Sequence, residues 1–161
     1  MRSCIHLFQM LETMKRTGLS SECDWHADAN EKIEVLFPST VAAASLSLVL
    51  YNGNDPSAAV TVGNPTTLSG AVPIGATGFS AAVASYAANG IQNGPNDGVA
   101  LVCGGSVIQL LSWEGVLTAS NGPAAGQSST DIGVAEDGAC RPTMHGVNAA
   151  LHAGGFHPLC Q

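Results

Sequence analysis

Between residues 32 and 137 the chain repeatedly alternates apolar and polar residues in short runs, and turn signals interrupt it roughly every 8–12 residues. That rhythm is the strongest constraint in the sequence. A helix of ordinary length needs an apolar stripe at 3.6-residue spacing sustained over three turns, whereas period-two runs broken by Gly, Pro and Asn-Gly make short strands. Residues 32–37 alternate and stop at Pro38. Residues 45–51 place Leu46, Leu48 and Leu50 on one face and run into Asn52-Gly53-Asn54-Asp55-Pro56. Residues 59–62 and 68–72 are shorter strand candidates, and residues 78–86 follow, bounded by Asn89-Gly90. Residues 98–102 and 106–113 flank Cys103-Gly104-Gly105, a Gly-rich hairpin connection. Such a series, with no long helix between its members, predicts an all-β fold: an immunoglobulin-like antiparallel β-sandwich spanning residues 32–137.

The flanks read differently. Residues 1–31 carry apolar spacing at Ile5, Phe8 and Leu11, which predicts a short helix followed by a polar linker. Residues 138–161 show no strand alternation; an irregular tail with a short helical pattern over residues 147–153 is expected. A secretory leader needs a clean apolar stretch and a small-residue cleavage site, and His6, Gln9 and Glu12 interrupt the N-terminal one. No apolar run approaches the ~20 residues of a membrane-spanning helix.

Charge narrows the function classes. Lys32 and Arg141 bracket a stretch, residues 33–140, that contains no Lys, Arg or His but seven acidic residues. Holding a nucleic-acid backbone requires cations that displace its condensed counterions, so direct binding of DNA or RNA by this stretch is not expected. The same stretch offers no base beside a nucleophile, so the chain is expected not to be an enzyme. Residues 32–137 hold a single cysteine, Cys103, in a turn, and the five cysteines of the chain leave one or two disulfides open without fixing a pairing.

Two metal readings can be weighed. Cys140, His145, His152, His157 and Cys160 supply soft ligands, but no CxxC pair provides the rigid half-site that structural zinc normally uses, and a solvated tail is preferred. Asp55, Asp97 and Asp131 are calcium candidates, with Asn52, Asn54, Asn93 and Asn96 as neighbouring oxygen donors. The same Asn and Asp residues are what tight turns demand, and turn chemistry is the preferred reading. Trp113, beside Glu114, is expected to pack in the core or at its rim.

Several longer motifs recur in a fixed order: Leu50-Tyr51-Asn52-Gly53-Asn54, then the run from Gly90 through Asn96-Asp97-Gly98 to Val102, then the run from Val107 through Trp113-Glu114-Gly115. Thr118-Ala119-Ser120-Asn121-Gly122-Pro123 and Ser128-Ser129-Thr130-Asp131-Ile132-Gly133-Val134 follow, and Glu31-Lys32-Ile33-Glu34-Val35 opens the set. Together, over about two-thirds of the chain, these resemble the lamin-tail-like domain of extracellular bacterial and some eukaryotic proteins. The resemblance implies an immunoglobulin-like sandwich and a non-catalytic binding or targeting role toward a protein or surface ligand, outside the cell. Because such domains often sit beside secreted nucleases, phosphatases or proteases, the alternative is a fragment of a secreted nuclease or phosphoesterase. The usual first strand is not evident upstream of Glu31, and after Glu136 the usual last strand gives way to Cys140-Arg141-Pro142-Thr143-Met144-His145. An edge strand is therefore expected to be missing.

Overall fold

A computed structural model describes residues 7–11, 31–55, 57–92, 94–133 and 146–147. They form two five-stranded sheets with one helical turn, a 3₁₀ segment at Ala43–Ser45. In chain order the strands are β1 (Leu7–Leu11), β2 (Lys32–Pro38), β3 (Leu46–Asn52), β4 (Val60–Thr67), β5 (Val72–Pro73), β6 (Phe79–Ser85), β7 (Gly98–Cys103), β8 (Ser106–Ser112), β9 (Thr130–Asp131) and β10 (Gly146–Val147). Sheet A runs β10-β1-β2-β6-β5 and sheet B runs β4-β3-β7-β8-β9. The protein is all-β over its described residues.

Period-two alternation explains how the sheets meet. Ile33, Val35 and Phe37 of β2 and Ala82 and Ala84 of β6 share one buried cluster with Leu46, Leu48 and Leu50 of β3 and Val99, Leu101 and Cys103 of β7. Leu111 and Trp113 close that cluster at one end, with Trp113 buried as expected. Sheet B is buried on its other face too. Val49, Tyr51, Ala100, Val102 and Leu110 pack under Leu117, Ala119 and Ala124, which belong to the segment after β8. Every residue of β7 is consequently buried. The β7–β8 connection is the two-residue turn Gly104-Gly105, with φ of 54° and 88°. Two positive φ values are the signature of the hairpin turn whose twist matches its strands, and they favour glycine.

Five expectations need correction. Leu7–Leu11 is a strand, not part of a helix, and it pairs antiparallel with β2 from Leu7↔Leu36 to Leu11↔Lys32. Five residues are too few to separate a helical stripe from a strand by spacing alone, and the open edge of β2 offers partners for their backbone groups. The edge expected to be vacant is thus occupied by β1. Gly146–Val147 pairs with β1, so the helical pattern expected from Val147 onward does not begin there, and its remaining residues lie outside the described set. The strand expected over residues 68–72 shrinks to Val72–Pro73, because Gly70 adopts φ 65° and turns the chain away. The sheets are also not wholly antiparallel: β9 joins β8 in parallel, Leu111 opposite Thr130 and Ser112 opposite Asp131. Among the described residues no helix is long and apolar enough to cross a membrane.

Candidate functional site

Antiparallel pairing of β3, β7 and β8 brings the end of β3, the start of β7 and the end of β8 to one rim of sheet B. Three turns meet there, and Asp97 ties them together. Its Oδ1 accepts the N–H of Gly53 at 2.7 Å, its Oδ2 accepts the N–H of Gly94 at 2.6 Å, and its carbonyl accepts the N–H of Trp113 at 3.0 Å. Asp97 is 1% exposed. Burial raises its carboxyl above the ordinary aspartate value, against the pull of the bonds from Gly53 and Gly94, and the negative charge of Glu114 adds to the rise.

The neighbouring backbone is shaped to allow this convergence. Asn96 and Glu114 adopt φ of 61° and 56°, and a Cβ at Gly53 would overlap the Asn96 carbonyl. Gly115, at φ 132°, leaves room for the Asn96 side chain in the same way. The oxygen-rich turn before it is internally satisfied: Asn52 Oδ1 accepts the N–H of Asn54 at 3.0 Å, while Asn52 Nδ2 donates to Gln92 Oε1 at 3.2 Å.

The calcium candidates do not converge. Asp55 is fully exposed and accepts both the N–H and the hydroxyl of Ser57, at 3.0 and 2.7 Å; those bonds lower its carboxyl below the ordinary value. Asp131 lies on β9 and accepts the N–H of Gly133 at 2.9 Å. Among the described residues no group of three or more His, Cys, Asp or Glu side chains is placed to hold a metal ion. All three aspartates thus accept backbone N–H groups of turns, as turn chemistry predicts. Asn93 and the zinc candidates Cys140, His145, His152, His157 and Cys160 lie outside the described residues. Cys103 is disulfide-bonded.

A second buried carboxylate holds the same connection between β6 and β7. Glu31, immediately before β2, is 1% exposed. Its Oε2 accepts the N–H groups of Gly90 and Ile91, at 2.6 and 3.2 Å, and its carbonyl accepts the N–H of Tyr86 at 2.9 Å. Its Oε1 is buried without a hydrogen-bond partner among the described residues. Sequence reasoning assigned Glu31 to the N-terminal extension, and the structure places it inside the packed unit. The available signal was a Glu abutting an apolar strand, with Asn89-Gly90 nearly sixty residues later to receive it.

Sheet A presents a different feature, apolar side chains exposed on its outer side, where Glu34 lies opposite Val83. Val72 of β5 is 62% exposed and Val83 of β6 is 47% exposed, with Ile74 exposed just past β5. Comparison with protein-family models, with curated proteins and with solved structures found no match to this chain.

Proposed function

We propose that the chain is a non-catalytic, lamin-tail-like module with an immunoglobulin-like sandwich, working outside the cell as a binding or targeting domain for a protein or surface ligand. The observation that carries this reading is the exposed apolar strip at Val72, Ile74 and Val83. Large apolar side chains grouped on one face of a soluble domain favour contact with a partner. The buried carboxylates support the non-catalytic part, since Asp97 uses both oxygens to hold turns in place. The disulfide at Cys103 supports an oxidising compartment.

The test has two arms. Purified chain is assayed against phosphodiester, phosphomonoester and peptide substrates, and its retention on the surface of producing cells is compared with that of a Val83→Lys variant. The reading expects no turnover and weaker retention of the variant at unchanged stability. Hydrolysis abolished by one side-chain substitution, or retention indifferent to Val83→Lys and Val72→Lys alike, overturns it.

A further inference from the structure

The chain contains four Asn-Gly pairs, at Asn52, Asn89, Asn93 and Asn121. Asparagine followed by glycine is chemically labile, because a backbone nitrogen with no neighbouring Cβ can reach and attack the Asn side-chain carbonyl. Three of the four glycine nitrogens are engaged. Gly53 N–H is held by Asp97 Oδ1 at 2.7 Å and Gly94 N–H by Asp97 Oδ2 at 2.6 Å. Gly90 N–H is held by Glu31 Oε2 at 2.6 Å and by the Ala87 carbonyl at 2.8 Å.

The fourth pair differs at its glycine nitrogen. Gly122 N–H makes no hydrogen bond among the described residues, and Asn121 is exposed to water. The Asn121 amide oxygen accepts the N–H of Thr61 at 2.9 Å, which draws electron density from the carbon to be attacked. We propose that Asn121-Gly122 is a site of spontaneous modification in the folded protein, converting Asn121 to aspartate or isoaspartate. The Gly122 nitrogen forms a bond to Asn121 Cγ, the Cγ–Nδ2 bond breaks, and Nδ2 leaves as ammonia, carrying away the proton that Gly122 gives up. Water then opens the cyclic imide at either carbonyl. In isoaspartate the main chain runs through Cβ and Cγ, one methylene longer between the α-carbon of residue 121 and Gly122, where space against Thr61 and Tyr51 is already tight. The former main-chain carbonyl, which accepts the Tyr51 hydroxyl at 3.1 Å, becomes a free carboxylate off the chain. Modification therefore loosens the segment that covers sheet B.

The experiment ages the full-length folded chain in mildly alkaline buffer and follows all four sites by peptide mapping and mass spectrometry, with urea-denatured chain as reference. In the folded chain Asn121 is expected to convert about tenfold or more faster than the other three, which must first break hydrogen bonds to charged acceptors. In urea the four rates converge. Equal or faster conversion at Asn52, Asn89 or Asn93 in the folded chain would mean that the carboxylates act as bases rather than guards, and overturns the assignment. Amide exchange at Ala124 is expected to quicken in the aged fraction; unchanged exchange there refutes the loosening.

Discussion

The phenol oxygen of Tyr51 accepts the backbone N–H of Ala124 at 3.1 Å across 73 residues of chain. The same hydroxyl donates to the Asn121 carbonyl, so one side chain from β3 clasps the segment that lies over sheet B. Tyr51 is fully buried, and burial raises its phenol above the ordinary value against the bond from Ala124. Tyr51→Phe keeps the ring and strands two backbone groups. It should cost about 1–3 kcal/mol in urea unfolding, with unchanged denaturant dependence.

Asp97 gives a pH dependence of defined sign. Its carboxyl is raised above the unfolded value of 3.8, so as pH rises the unfolded chain releases its proton first. The stability from this group is present below the unfolded value and is lost as pH climbs through the folded one. Asp97→Asn removes the titration and turns an amide NH₂ toward Gly53 or Gly94. Wild type is expected to exceed the variant most at about pH 3 and by less at about pH 6, in urea midpoints measured across that window.

Gly53 and Gly126 separate two costs of adding a methyl group. A Cβ at Gly53 meets the Asn96 carbonyl, which is backbone and cannot swing aside. Gly53→Ala should destabilise by about 2 kcal/mol or more. Gly126 has φ 79° and open space around a Cβ, so Gly126→Ala carries conformational strain alone, about 1–2 kcal/mol. Thermal unfolding of the two variants checks the order.

Glu31 is expected to tolerate amidation better than truncation. Glu31→Gln can keep an oxygen toward Gly90 and Ile91, and its amide nitrogen takes the place of an oxygen that has no partner among the described residues. Glu31→Ala leaves the Ile91 N–H buried and unmet and the Gly90 N–H with the Ala87 carbonyl alone, a loss of about 1–3 kcal/mol. Equal midpoints for the two variants would show that the carboxylate does not organise the 90–91 turn.

What could be read from the sequence was whatever has a local cause. β2, β3, β6, β7 and β8 lie within a residue or two of their expected bounds because alternation and turn residues are local signals. β1 was misread because its state is decided by the vacant edge of β2, a partner more than twenty residues away. Val49, Ala100 and Val102 point away from the facing sheet, yet they are buried by residues after Trp113 that carry no alternation at all. The two buried carboxylates divided in the same way. Asp97 was visible as a member of an Asn-Asp-Gly turn, although its bond to Gly53 was not. Glu31 gave no local sign of the turn it serves.

The cover over sheet B also decides where this chain accepts foreign sequence. Residues 117–128 contain no long strand and sit between turn signals, the profile that usually attracts an inserted tag or a circular-permutation cut. Here Leu117, Ala119 and Ala124 are almost wholly enclosed, so an insertion would lift the roof from Tyr51, Ala100 and Leu110. Gly104-Gly105, whose surroundings leave open space on both residues, is the better point of entry.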